Sequence, residues 1–361
     1  MFSTRAGSKY TAVRESENEE NIPHETFELS AKDRHPVWQT FVSTWFYCSA
    51  TTACLFIFWW LANINAPVDA SASPCVDAPV RREWRSLGQD EKRDFVRAFK
   101  CLSRTPSSWV QNRTVYDDFA FLHGGIGAWC HQSACFLPWH RYTLFTFEKV
   151  LKNHCGFRGQ IPYWDWTLDW MNLANSTIFD SDTGFGGDGD ANGPETFGEG
   201  RCVTTGPFTD LRPIIYNHTL VRHCLSRGFR YGNASGILPG RSYSPEKIGD
   251  IVRRNNYTHF IRGVEGVLHN TLHSLIRGDF KAMTAANDPL FFVHHAQLDR
   301  LWWKWQQDHP QTRLAEYRGF HMFNSTGEAS LDDTLMFGGF TEDIAVRQAM
   351  NTEAGLLCYR Y

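Results

Sequence analysis

The stretch DPLFFVHHAQLDRLWWKWQ, residues 288–306, places two adjacent histidines inside a run of aliphatic and aromatic residues. A proline stands at its start and no glycine interrupts it, so it reads as one helix. An imidazole set in an apolar helix needs a partner for its polar nitrogens, because a buried polar group without one is costly. This need constrains the chain more than any other feature, since other histidines share it. Adjacent residues on a helix point about 100° apart, so only one of the two rings can face a given cluster squarely. His295 shares its face with Phe291, Phe292, Asp299 and Trp302, the side expected to turn inward. Asp299, one turn on, is spaced to orient the His295 ring by a hydrogen bond, as groups behind metal-bound histidines do. His295 is therefore the expected ligand and His294 its neighbour in the pocket wall.

His269 and His273, in VLHNTLHSL, are four residues apart, so on a helix both rings project from one face within reach of one ion. Asn270 follows the first of them, where a zinc protease of the H-E-x-x-H type carries its glutamate, so that hydrolytic route lacks its base. Upstream, His123 in FLHGG, His131 in WCHQS and His140 in FLPWHRY form a third set, the last of them among Trp139, Phe145 and Phe147. Satisfied core histidines remain an alternative for each group taken alone. Together, three plus three imidazoles with no cysteine or carboxylate in either set suit copper or zinc better than magnesium, calcium or a carboxylate di-iron site. Two metals sharing six imidazoles is the simplest arrangement.

QDEKRDFVRAFKCL, PWHRYTLFTFEKVLKNH and THFIRGVEGVLHNTLHSLI carry the same helical period. With residues 288–306 they predict a mainly α fold, a central four-helix bundle holding a binuclear metal site, with long loops and few short strands. Residues 179–200, FDSDTGFGGDGDANGPETFGEG, are Gly- and Asp-rich and read as a long loop. GFGGDG within it matches G-x-G-x-x-G, but no strand precedes it and no apolar helix follows, and its aspartates miss the spacing of a calcium loop. The 361 residues are 42% hydrophobic, enough for a sizeable core, and a net charge of −3 without a dense basic cluster argues against nucleic acid as a partner.

The N-terminal part differs in kind. Residues 1–40 are polar, include ESENEEN, and are expected to be a disordered cytosolic tail. Residues 41–64 carry no charge over 24 positions, long enough for a membrane-spanning signal-anchor. Lys32 and Arg34 precede them and the next basic residues are Arg81 and Arg82, which predicts a single-pass type II topology. A signal cleaved near Ala70-Ser71-Ala72, giving a secreted protein, is the alternative. A linker over 65–74 then leads to one catalytic domain, 75–361. Sequons at Asn112, Asn175, Asn217, Asn233, Asn256 and Asn324 all follow the apolar segment and suggest glycosylation in a lumenal or extracellular space. Cys75, Cys101, Cys130, Cys135, Cys155, Cys202, Cys224 and Cys358 follow it too, and some are expected to be bridged.

FLPWHRYTLFTFE, PYWDW, LHNTLH and DPLFFVHHAQLDRLWWKWQ resemble the tyrosinase family of type-3 copper proteins, which includes catechol oxidases and molluscan hemocyanins. The likeness runs from VRREWRSLGQDEK to LCYRY and is strongest to short fungal tyrosinase-like proteins. It implies that His123, His131 and His140 hold one copper and His269, His273 and His295 a second. It further implies oxidation of phenols and o-diphenols to o-quinones with O2, on a small phenolic or aromatic secondary metabolite. By the same likeness Glu265 holds a water that deprotonates an incoming phenol, Asn270 is its partner, and Ala282 is a small gate residue. Many members tie a cysteine two residues before the second ligand to it by a thioether; Trp129 stands there, so no such crosslink is expected. The chain ends near the family's Tyr-x-Tyr, at Tyr359 and Tyr361, which implies the core without the shielding extension of longer members. Similarity to hemocyanin-like fungal cyclopenases implies an alternative, a dizinc site doing Lewis-acid chemistry on an alkaloid. Similarity to hemocyanin implies another, O2 carriage without catalysis.

Overall fold

The computed structural model describes residues 73–230 and 238–361. The tail 1–40, the apolar segment 41–64, most of the linker 65–74 and Asn233 lie outside them. Among the described residues no helix is long and apolar enough to cross a membrane.

Five helical segments build the core: α1 (Gln89–Leu102), α2 (Val115–Gly124), α3 (Phe136–Cys155), a long helix composed of α4 (Tyr257–Gly263), a π-helical turn (Val264–His269) and α5 (Asn270–Ile276), and α6 (Leu290–Asp308). Their boundaries follow local chemistry. The Glu91 carboxylate accepts from the Gly88 amide at 2.8 Å and opens α1. Thr114 and Asp117 cap α2 reciprocally, at 2.9 and 3.2 Å. Gly156, with φ +61°, ends α3 in the left-handed conformation that costs glycine little. Among the described residues strands are confined to two-residue antiparallel pairs, such as Arg201–Cys202 with Ser226–Arg227, so the bundle with few short strands is the fold observed.

An aromatic cluster joins the helices. Phe99 of α1, Phe119 of α2, Phe147 of α3 and Phe292 of α6 meet with ring centroids 3.6 to 5.7 Å apart, Phe147 stacking on Phe292. The histidines extend the same stripes. His123 lies four residues after Phe119, His140 seven before Phe147 and His295 three after Phe292, all helical-face spacings. Packing of the phenylalanines therefore also sets where three of the imidazoles point.

Residues 179–200 form a loop, as expected, and its glycines serve close backbone approach. At Gly186, with φ +77°, an added Cβ would lie 2.1 Å from the Thr205 carbonyl oxygen. The buried Arg227 side chain donates to the carbonyls of Phe185, Gly186 and Gly187 and to the Asp288 carboxylate, fixing this loop against the start of α6.

Among the described residues three disulfides, Cys75–Cys358, Cys101–Cys155 and Cys202–Cys224, staple the ends of the domain, α1 to α3, and the loop region; Cys130 and Cys135 are buried free thiols. Of the described sequon asparagines, Asn112, Asn175, Asn217 and Asn324 are exposed, and Asn256 is half-buried with its side chain capping α4.

Asp299 is used differently from the sequence expectation. Its carboxylate accepts from Arg141 Nε at 2.5 Å, from the Tyr359 and Tyr361 hydroxyls at 2.5 and 2.6 Å, and from Arg81 Nη1 at 3.4 Å. It does not orient His295, whose two ring nitrogens lack a protein partner. The reason is direction: one turn along the helix the side chain points into the seam with α3 and the C-terminal segment, where two buried guanidinium groups await a counter-charge. Arg141 also lies over the Trp302 ring, 3.6 Å from its centroid, and Arg81 over that of Tyr359 at the same distance. Removing one partner of such a buried cluster leaves an uncompensated charge. Arg141→Leu is expected to lower unfolding free energy by roughly 3–5 kcal/mol. Arg93→Leu, which breaks an exposed pair with Asp90, is expected to change it by less than about 1 kcal/mol. Denaturant titration of the two variants measures both.

Candidate metal centre

The first histidine group gathers from three kinds of local structure. His123 is in the last turn of α2, His131 is an extended residue just after a tight helical turn over Ile126–Cys130, and His140 is in the first half of α3. One nitrogen of each is tied to a backbone carbonyl. Nδ1 of His123 lies 2.5 Å from the Met283 oxygen, that of His131 3.0 Å from Gly127, and that of His140 2.7 Å from Phe136. With Nδ1 carrying the proton, each Nε2 keeps its lone pair for another partner. Those of His123 and His140 are 3.2 Å apart, and that of His131 has no hydrogen-bond partner.

The second group repeats the plan. His269 Nδ1 donates to the Asn270 side-chain oxygen at 2.9 Å and His273 Nδ1 to the Phe280 carbonyl, while their Nε2 atoms are 2.9 Å apart. The π-helical turn matters here. One extra residue in the turn rotates the residues beyond it by about 100° relative to an unbroken α-helix. Glu265 therefore faces a cavity and His269 and His273 face the cluster, a division that the uninterrupted helical period in the sequence does not contain. Gly263, just before the turn, and Gly266, within it, are weak helix formers.

His294 and His295 both come within reach of this group: His269, His273, His294 and His295 can each offer an atom within 4.8 Å of the others, as can His123, His131 and His140 among themselves. The two rings of the pair are nevertheless unlike. Trp166 Nε1 donates to His294 Nδ1 at 3.2 Å. A neutral His294 then carries its proton on Nε2, which is buried without a hydrogen-bond partner, and has no lone pair left for a metal. His295 has both nitrogens free, stacks on His140 with ring centroids 4.3 Å apart and lies 5.1 Å from His269, so it stands where the two groups meet.

Burial lowers the basicity of all these rings. His131 and His273 are pushed down to about 4, and His123, His140, His269, His294 and His295 fall well below the ordinary histidine value, burial being the first cause in every case. They are neutral at physiological pH, the state in which imidazole binds a metal. Convergent Nε2 atoms, Nδ1 atoms fixed by acceptors, and orphaned nitrogens on His131 and His295 fit a pair of copper or zinc ions.

A cavity of about 740 Å³ opens beside the cluster. Glu265 and Asn270 both line it. Asn270 is bonded to His269, and the Glu265 carboxylate accepts from the amide of Gln132, the residue after His131, at 2.6 Å, so the cavity floor touches both groups. Burial raises the Glu265 carboxyl to about 7. Ala282, 9% exposed, lies between Phe280 and Met283, whose carbonyls hold one histidine of each group.

Sequence reasoning missed most of these supports. The carbonyls of Gly127, Phe136, Phe280 and Met283 leave no residue-type signal. PYWDW is conspicuous in the sequence, and the fold shows its role: the Trp164 amide donates to the Val293 carbonyl, Trp166 holds His294, and Asp165 accepts from Gln297 and Arg300 of α6.

The common central domain of tyrosinase matches residues 113–308, which contain both histidine groups. Tyrosinase ustQ of Aspergillus flavus is 64% identical over 288 residues, covering 80% of this chain and 80% of that protein. Tyrosinase-like protein phomQ2 of Diaporthe leptostromiformis is 58% identical over 302 residues, covering 83% and 77%. Among solved structures, a variant polyphenol oxidase from Thermothelomyces thermophila superposes with a TM-score of 0.66 at 26% identity, over 78% of this chain and 88% of that one. With the matched domain spanning more than half its length and close relatives along most of the rest, this chain belongs to the tyrosinase family.

Proposed function

We propose that the protein is a dicopper oxidase that converts phenols or o-diphenols to o-quinones with O2, acting on a small aromatic metabolite. The observation that carries this reading is the convergence of two sets of free imidazole nitrogens beside a cavity floored by Glu265 and Asn270. His123, His131 and His140 would hold one copper and His269, His273 and His295 the other. Bound there, the copper pair supplies the redox partner for O2. The chain's own groups do the rest. Carbonyl and amide acceptors fix the rings, so little reorganisation is needed on metal binding. Glu265, buried and within the cavity, takes the phenol proton, directly or through a water, while Asn270 holds His269 in orientation. Ala282 is a small side chain between the two residues whose carbonyls hold His273 and His123.

Three disulfides and exposed sequon asparagines support placing residues 75–361 in an oxidising lumenal or extracellular space, with residues 41–64 as the segment that directs it there.

The deciding experiment is metal analysis of the purified protein with O2 consumption on addition of 4-methylcatechol. Two coppers per chain with catechol-dependent uptake is the expected result; two zincs and no uptake would point to Lewis-acid chemistry instead, since the imidazole set also suits zinc.

The ligand assignment makes its own prediction. His295→Ala is expected to lose one metal per chain and His294→Ala to retain both; equal loss in the two overturns the distinction between them. Glu265→Gln should lower turnover of a monophenol by on the order of 100-fold while affecting a catechol less, read as the ratio of the two kcat/KM values. Metal removal exposes the cost of the buried rings. Folding lowers these histidine pKa values, so the unfolded chain takes up protons that the folded chain refuses, and the stability of the metal-free protein falls as pH drops below 6.5 towards about 4. Thermal melts across that range, with and without chelator, measure it.

A further inference from the structure

The cavity beside the metal centre has a charge pattern that its catalytic floor does not use. Thr258, Ile261, Arg262, Glu265 and Gly266 line it, recurring at helical spacing along one face of the long helix, and the segment Tyr317 to Phe320, which carries Arg318, lines it as well. Arginines close by in sequence on the same helical region are engaged. Arg253 pairs with Asp250, Arg254 donates to the His259 carbonyl, and Arg277 pairs with Glu199. Arg262 and Arg318, both exposed, make no ion pair, side-chain hydrogen bond or ring contact among the described residues. Glu328 also lines the cavity but forms no ion pair with either. Two arginines thus line one concave space with their donors unpaired among the described residues.

The walls that carry them are fixed. Tyr317 is buried and packs on Tyr257, whose hydroxyl donates to the Ala134 carbonyl at 2.6 Å. The Ala134 amide in turn donates to the Phe320 carbonyl at 2.8 Å. Arg318 therefore rides on a segment bonded at Phe320 to the loop that bears His131 and packed at Tyr317 on Tyr257 of the long helix. Arg262 lies three residues before Glu265, one turn away on the same face. A group held by Arg262 would sit roughly 5 Å along the helix from Glu265 and twice that from Asn270.

We propose that Arg262 and Arg318 form a carboxylate subsite, so that the preferred substrate is a phenol bearing a carboxylate a few bonds from the ring. This rests on the cavity being the substrate site of the proposed oxidase. Guanidinium groups match carboxylates in a planar, multiply bonded geometry, and two free ones in the same cavity have no structural partner to lose on binding. A substrate anchored this way places its ring towards Glu265 and the histidine cluster, with the acid group at the mouth.

The test uses the metal-loaded full-length protein under anaerobic conditions, so that binding is read without turnover. Calorimetry with 3-(4-hydroxyphenyl)propionate and its methyl ester should give about tenfold tighter binding of the acid, falling as salt is raised. In Arg262→Gln/Arg318→Gln the ratio should collapse towards one, and in Arg262→Lys/Arg318→Lys part of it should return. Thermal unfolding of each variant identifies any that fails to fold, and the wild-type acid-to-ester ratio needs no variant at all. Equal binding of acid and ester by the wild type, no binding of the acid, or a preference that survives the double Gln variant overturns the subsite. A preference for the acid in a protein that consumes no O2 with any phenol would keep the subsite and reject the oxidase reading, so the two failures are distinct.

Discussion

Every imidazole in the two histidine groups has two nitrogens, and for five of the six proposed ligands the fold ties one of them to a fixed oxygen. Gly127, Phe136, Phe280 and Met283 supply carbonyls and Asn270 an amide oxygen. This hydrogen bond decides where the proton sits, and so where the lone pair points. Much of the rest of the structure serves it. The tight turn over Ile126–Cys130 exists one step before His131 and offers it the Gly127 carbonyl. The short segment between α5 and α6 carries both the Phe280 and Met283 carbonyls, so a single stretch of backbone registers one histidine of each group against the other. His295 has no such acceptor and is held instead by packing against His140 and Phe291.

A second network holds the helices that carry these rings. Asp299 joins α6 to α3 through Arg141 and to the two ends of the domain through Arg81, Tyr359 and Tyr361. A buried ionic cluster of this sort contributes little net energy compared with apolar packing, but breaking it is costly. It fixes the register of α6 against α3, and hence of His295 against His140. The Tyr-x-Tyr at Tyr359 and Tyr361 thus bears on the histidine cluster from a distance, with the Cys75–Cys358 disulfide holding the same two ends together.

The cavity inherits its chemistry from the long helix. A single π-helical turn divides that helix into a face lining the cavity and a face carrying His269 and His273. Arg262 and Glu265 consequently lie together in the cavity while the imidazoles look elsewhere. Without the extra residue in that turn, one helical stripe would have had to carry both.

The helical period, the apolar faces and the histidine spacings were legible in the sequence because they are local: side chains three, four or seven residues apart share a face wherever the helix is placed. That determined the bundle and the two groups of imidazoles, and it implied that the adjacent rings of His294 and His295 point in different directions. What tertiary structure decided was each ring's partner. The sequence spacing put Asp299 behind His295, yet its carboxylate turns to Arg81 and Arg141, because a buried guanidinium far away in sequence demands a counter-charge more strongly than a neutral ring does. His294 is set apart by a Trp166 N–H more than a hundred residues distant. Backbone carbonyls, which any residue supplies, orient most of the rings, and a change of helical winding over six residues separates the cavity face from the histidine face. Interactions of these kinds depend on where the chain returns in space, and no pattern of residue types along it records them.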